Sequence, residues 1–376
     1  MKVGSHFSNL LGAPALGAWP CPGRGTSPAR PPRSHSFAAA VALAVAMAPV
    51  TAESPTRTLK VATLAPRGSV WFKELAQVAS DWKRGSKGRA EMIVYWGGTQ
   101  GDEETVVRRI NLGQLQGAWL TTTGLTRVDP GFNALNMPLF YDSTDELFCV
   151  IDRLMPVLGE RAEARGFVVV SPGYAGWVQM FTTRPVRTLD ELKRLKIWTS
   201  VGDERMVHWY KGNGFHPVAL ASTDLTASLM QGLVEGVPTT PLAALSLQYY
   251  RRTPHVLELD LAPLPGALVV SVEAWRRLPR DLQSGLTATA AASWSRMQVS
   301  VPDADRRAVD AMRQYKDFTI TRLKGTPAAA AFDEQARGYA TAMRGTWVPA
   351  DIYDLTVSHR EVCRKQKRCD TTQTVP

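Results

Sequence analysis

The longest apolar run in this 376-residue sequence, 37–50, falls short of the ~20 residues that a membrane-spanning helix needs. The usual signatures of catalysis are also missing. There is no Gly-x-x-x-x-Gly-Lys phosphate loop, no Gly-x-Ser-x-Gly elbow and no His-Glu-x-x-His zinc helix. Gly212-Asn213-Gly214 does not continue into a dinucleotide fingerprint. The Ser-x-x-Lys match from Ser80 to Lys83 falls in mid-helix, with no Ser-Asp-Asn or Lys-Thr-Gly partner. The histidines beyond residue 52, His208, His216, His255 and His359, have no ligand-like spacing. Asp102, Glu103 and Glu104 form an acidic triplet at a predicted helix start, where negative charge favours the helix dipole without any metal. Neither an enzyme activity, a cofactor nor a metal is expected.

Charge of one sign is not concentrated either. The net charge is +10. Lys2, Arg24, Arg30 and Arg33 precede residue 52 with no acids among them, so 10 minus 4 leaves +6 for the rest. Those cations are scattered, apart from a cluster at 360–368, and no motif accompanies them, so nucleic acid is not an expected partner. Cysteines number four. Cys21 lies in the leader. Cys363 and Cys369 are close enough in sequence to suggest a small disulfide loop, and Cys149 reads as a buried free thiol on a helix face.

What is present begins with export. Arg30 and Arg33 precede the 37–50 run, which ends in Val50-Thr51-Ala52, a small-residue cleavage pattern. Residues 34–52 therefore read as a signal peptide cut after about Ala52, which places the mature chain in the periplasm. Residues 1–33, rich in Gly, Pro and Ser, read as a disordered extension or a start codon placed too early. The remaining 324 residues (376 minus 52) suit two domains or one large one. An exported chain of this size without a catalytic motif reads as a binding protein.

The order of elements is α/β. Residues 58–64 alternate as a strand, and Trp71, Leu75, Val78 and Trp82 follow at helical spacing. Strand 90–95, helix 102–112 and strand 116–121 complete a β-α-β-α-β run, which implies a parallel sheet. Helix 145–164 leads to strands at 167–171 and 178–183. Thr188 and Glu191 form a capping arrangement, and a second β/α unit runs from about 177 to 240. Residues 271–313 read as a long, largely helical region.

Several blocks now resemble a known family. Leu59-Lys60-Val61-Ala62-Thr63-Leu64-Ala65-Pro66-Arg67-Gly68-Ser69-Val70-Trp71 resembles the opening of the DctP-type solute receptors of TRAP transporters. In register follow Gly97 to Glu104 with Leu112-Gly113, then Pro185 to Ile197, then Pro217 to Leu220 with Leu229 to Gly236, and finally Trp275 to Pro279. The resemblance covers about 59–320. It implies an α/β, two-lobe periplasmic binding protein fold of the type II kind, with crossing strands between the lobes and a long C-terminal bracing helix. Residues 53–176 with 258–376 would form lobe I and the bracing helices, and 177–257 lobe II. Such a receptor would bind a small organic solute in the inter-lobe cleft and deliver it to TRAP membrane subunits.

One departure bears on the ligand. Where the family carries a carboxylate-binding arginine after Leu195-Lys196-Ile197, this chain has Trp198. An indole offers one N–H and a large apolar face, not a bidentate cation. Trp119, Trp177 and Trp198 fall where family members line the cleft, together with Thr121, Thr122, Pro238, Thr239 and Gln100. The expected ligand is accordingly hydrophobic or amphipathic. The alternatives are a carboxylate receptor with a relocated arginine, Arg184, Arg187 or Arg205, or a periplasmic ligand-sensing or partner-binding protein. The sequence also resembles the treponemal-type TatP subgroup, which implies a periplasmic tetratricopeptide-repeat partner.

Overall fold

The computed structural model describes residues 56–201, 204–323 and 325–372. The predicted leader and signal peptide, with the cleavage after Ala52, lie outside the described residues. Strands are β1 (Arg57–Thr63), β2 (Ala90–Tyr95), β3 (Gly117–Thr121), β4 (Phe167–Thr182), β5 (Lys196–Ser200), β6 (His216–Leu220), β7 (Gly236–Thr239), β8 (His255–Ser271) and β9 (Thr319–Arg322). The first helices are α1 (Val70–Gly85), α2 (Glu103–Asn111), α3 (Thr122–Val128) and α4 (Thr144–Glu163). Then come α5 (Leu189–Lys193), α6 (Glu204–Gly212), α7 (Leu225–Met230), α8 (Pro241–Ser246) and α9 (Val272–Arg276). Last are α10 (Arg280–Met312), α11 (Pro327–Met343) and α12 (Ala350–Thr372).

Local chemistry sets several of these boundaries. Ser69 caps α1 by accepting from Phe72 N, and the helix buries Trp71, Leu75, Val78 and Trp82, one stripe at the helical period. Asp102 caps α2 through Thr105 N. Thr188 and Glu191 form a full capping box on α5. Helix α10 keeps Leu286, Ala290, Trp294, Met297 and Val301 buried along one side, and the Trp82 indole of α1 donates to Leu282 O at 2.9 Å.

The strands make one mixed sheet in the order β2-β1-β3-β8-β4-β7-β5-β6, with β9 added on β8. β1 pairs parallel with β2 and β3, and β5 pairs parallel with β6 and β7. The parallel expectation thus holds for each triad separately. Between them run β4 and β8, antiparallel to each other along nearly their whole length. β3 joins β8 at Gly266–Val270, whereas β7 joins β4 at Gln179–Thr182, so the triads attach at opposite ends of the long pair. The two strands predicted at 167–171 and 178–183 are one strand, bent by register shifts between Tyr174 and Trp177. Each end has its own core. Leu59, Val61, Leu120 and Trp294 belong to the large one, and Met180, Ile197, Phe215 and Phe332 to a smaller one.

The cysteine expectation is corrected. Cys363 of α12 is bonded to Cys149 of α4 across 214 residues, with a Cα–Cα distance of 6.0 Å. Cys149 is therefore not a free thiol, and Cys363 is not available to Cys369. Helix geometry gives the reason. Residues six apart on one helix are separated by about 9 Å along the axis, beyond the reach of a disulfide. No helix among the described residues is long and apolar enough to cross a membrane.

Candidate functional site

Parallel strands gather ligand sites at their carboxyl ends, where the following helices begin. Both triads obey this geometry. Leu64 after β1, Thr121 at the end of β3, Trp198 and Ser200 at the end of β5, and Pro238 and Thr239 at the end of β7 all face one cavity of about 370 Å³. A second cavity of about 700 Å³ adjoins it. Trp198, Met206, Tyr210, Pro238 and Tyr339 line both, so they are two chambers of one cleft, the smaller termed inner and the larger outer.

The inner chamber is mainly apolar and aromatic. Ile197, Trp198, Trp209, Leu225, Val237 and Tyr249 line one side of it. Burial pushes the Tyr249 hydroxyl up to about 12, so it stays protonated at neutral pH. The Trp209 and Tyr339 rings meet with centroids 4.5 Å apart, and the Tyr339 hydroxyl lies 3.3 Å from Met206 Sδ, which ties α11 to α6 at the chamber wall. The charged residues lining this chamber are Asp102, Glu103 and Glu104; no cationic side chain lines it among the described residues.

Glu103 is buried at 4 % exposure, yet it is not an open acid. Its carboxylate accepts from Thr121 N at 2.8 Å, Thr121 Oγ1 at 2.7 Å and Gly124 N at 2.7 Å. Burial raises its pKa and these three bonds oppose the rise. The result is a brace that fixes the turn from β3 into α3, where Thr121 and Thr123 meet the cleft. Among the described residues no cluster of three or more acidic, histidine or cysteine side chains could hold a metal.

The residues expected at the site divide. Thr121, Trp198, Pro238 and Thr239 line the inner chamber, and Thr122, Trp198 and Pro238 the outer. Trp198 donates its Nε1 proton to Leu220 O at 3.1 Å, so only its ring is left for the cleft. Trp119, Trp177 and Gln100 line neither chamber. Trp119 is 9 % exposed and its ring abuts Gly173, where a Cβ would come within 2.8 Å of its Nε1. Trp177 packs against the large core and its backbone N–H donates to Asp305 Oδ2 at 3.3 Å. Gln100 is engaged by Arg109 Nη1 at 2.6 Å. Neither Arg184 nor Arg187 lines a chamber.

Some lining residues were not anticipated. Met206, Trp209 and Tyr210 of α6 fall between the blocks of family resemblance, and Phe332, Gln335 and Tyr339 of α11 lie past its end. The adjacent Trp209-Tyr210 pair was the available signal, since two large aromatics in a short helix exceed what one core face needs.

Residues 61–344, about three quarters of the chain, match bacterial extracellular solute-binding protein family 7, the DctP family. The chain belongs to this family. A solute-binding protein of Chromohalobacter salexigens is 24% identical to this DctP-family chain over 217 residues, 55% of this chain and 62% of the relative. The sialic acid-binding periplasmic protein SiaP of Vibrio cholerae is 18% identical over 223 residues, 59% of this chain and 69% of its own. The chain spans about six-tenths of the length of the first curated relatives it matches. Among solved structures, the sugar acid binding protein DctPAm of Advenella mimigardefordensis, in complex with galactonate, superposes with a TM-score of 0.77 at 15% identity. That match covers 83% of this chain and 100% of the other. A TRAP periplasmic solute binding protein of Desulfovibrio salexigens with bound orotic acid gives 0.75 at 14% identity, covering 82% and 100%. These likenesses carry the fold, which is the two-lobe α/β architecture of TRAP periplasmic binding proteins with a long bracing helix, α10.

Proposed function

We propose that this DctP-family chain is the extracytoplasmic receptor of a TRAP transporter, and that it takes an apolar or amphipathic organic solute in the inner chamber for delivery to the membrane permease. The observation that carries the ligand class is Trp198. Its single donor is already spent on Leu220 O, its ring lines both chambers, and no described cation stands in the inner chamber to replace the missing arginine. A carboxylate placed there would instead meet Asp102 and Glu104, and Arg127, which bridges Glu104 at 3.5 Å, lines only the outer chamber. Largely apolar clefts with a few polar groups are the common form of small-molecule sites.

The same reading includes export with cleavage near Ala52, and lobes at 53–176 with 258–376 and at 177–257. The treponemal-type subgroup and its repeat-protein partner belong to it as well. A second reading is a carboxylate receptor with a displaced arginine. It is favoured by the acids bound to the structural relatives, galactonate and orotic acid, and by Arg127 lining the outer chamber. Mass spectrometry of an organic extract from natively purified protein separates the two. A co-purified apolar molecule supports the first reading, and a small carboxylic acid removes it.

A further inference from the structure

Leu139 (φ +47°) and Asp260 (φ +49°) both hold left-handed backbone. That region crowds Cβ against the following carbonyl, and a side chain as bulky as leucine rarely enters it. Such strain persists only where the surroundings over-determine it, and it gathers at ligand clamps.

The surroundings here are hydrogen bonds to one stretch of β8. Leu139 N donates to Leu261 O at 2.8 Å, and Asn136 Nδ2 donates to Pro263 O, so the loop 136–139 is sewn to the strand at two points. The β4–β8 ladder skips at the same place. Val178 pairs with Ala262 but Met180 pairs with Leu257, so residues 258–261 bulge. Gln179, between those two and only 7 % exposed, replaces the missing ladder bonds. Its Oε1 accepts from Leu259 N at 2.9 Å and Asp260 N at 3.0 Å, and its Nε2 donates to Asp260 Oδ1 at 2.6 Å. The bulge is fixed by Gln179, and the loop is fixed by the bulge. Both stretches meet the ligand space: Pro138 and Leu139 line the inner chamber together with Leu261, Ala262 and Leu264.

We infer that this wall is the size gauge of the inner chamber, and that Leu139, locked left-handed on the bulge of β8, sets how large an apolar ligand body the chamber seats. This rests on the apolar reading of that chamber. The loop cannot yield by backbone rotation at Leu139 without losing the Leu261 bond, so an over-long ligand meets a fixed face. The wall gives Leu139 a part in specificity that its plain aliphatic side chain does not announce.

The test titrates 1-hexanol and 1-decanol by calorimetry into the ligand-stripped protein and into Leu139→Ala, Leu139→Gly and Leu139→Phe. Each methylene seated in an apolar chamber tightens binding about four-fold. The decanol-to-hexanol affinity ratio therefore reads how much chain the chamber holds. That ratio should rise several-fold in Leu139→Ala and Leu139→Gly and fall in Leu139→Phe. Urea unfolding gives a second readout. Glycine enters the left-handed region freely and alanine does not, so Leu139→Gly should have a higher midpoint than Leu139→Ala. A ratio unchanged in all three variants would overturn the gauge while leaving the apolar chamber standing. A glycine midpoint at or below that of alanine would overturn the left-handed lock on which the gauge depends. Failure of both alcohols to bind the unaltered protein and every variant would remove the apolar reading itself, and the gauge with it.

Discussion

The indole N–H of Trp198 points its proton at the Leu220 carbonyl, 3.1 Å away on the neighbouring strand β6. The side chain at the position where the family carries a carboxylate anchor is therefore fastened to its own sheet and offers a π face. A group fixed this way is rigid and pre-organised, which lowers the entropy lost when a ligand packs on it.

Replacing this residue should change ligand class and not merely affinity. Trp198→Ala should weaken an apolar ligand by about 2 kcal/mol, roughly thirty-fold, as for a buried aromatic contact. Trp198→Arg should lose the apolar ligand and gain affinity for small carboxylates through a bidentate pair. Calorimetry on both variants checks this. Should the unaltered protein already bind carboxylates as tightly as Trp198→Arg does, the apolar chamber is misread.

The Cys149–Cys363 bond ties α12 to α4 and closes a loop of 214 residues. Cross-links over long loops contribute about 2–5 kcal/mol, mostly by restricting the unfolded chain. Cys149→Ser should lower the urea midpoint accordingly, and reductant should do the same to the unaltered protein but not to the variant. Peptide mapping under non-reducing conditions decides the pairing. A Cys363–Cys369 peptide would contradict it.

Much of this fold could be read from local pattern, because the outer triads are built from short-range rules. Capping at Ser69, Asp102 and Thr188 and the Trp71–Trp82 stripe are all visible in sequence. Strand β8 was not. Pro263, Pro265 and Gly266 interrupt it and speak against a central strand, yet the chain accommodates them beside the register shift between Tyr174 and Trp177. The site divides on the same line. Trp198 and Pro238 follow from strand ends, whereas Tyr339 reaches the cleft through the packing of α11, which local pattern does not encode. Trp119 misleads because its companion, Gly173, is fifty-four residues away and packs against its ring.

The Glu103 brace predicts coupled losses. Glu103→Ala leaves the donors of Thr121 and Gly124 without their partner, at about 1–3 kcal/mol for each buried group. Stability and ligand affinity should fall together, since Thr121 and Thr123 line the cleft. Gly124→Ala is an independent check, because its new Cβ would lie 2.9 Å from both Glu103 Cβ and Leu120 Cδ2. Urea unfolding and ligand titration of both variants test the link. Intact binding in both would free the β3–α3 turn from any part in the site.

Asp305 of α10 accepts from Leu242 N at 2.9 Å and Trp177 N at 3.3 Å, joining the long helix to β4 and to the start of α8. Burial pushes its carboxyl up to about 7 against those two bonds. Its charge in turn helps raise the neighbouring Tyr174 hydroxyl. The sign follows from proton linkage. Between the ordinary value of 3.8 and about 7, the folded state holds a proton that the unfolded state has released. Stability from this group is therefore full below the ordinary value and declines as pH rises to about 7, by about 4 kcal/mol at 1.36 kcal/mol per unit. Asp305→Asn removes the titration. The difference in unfolding free energy, unaltered protein minus variant, should fall from pH 4.5 to pH 7.5 and then level off. A difference that stays flat across that range would show that the two backbone bonds hold the carboxylate ionised throughout, with the desolvation of α10 fully offset.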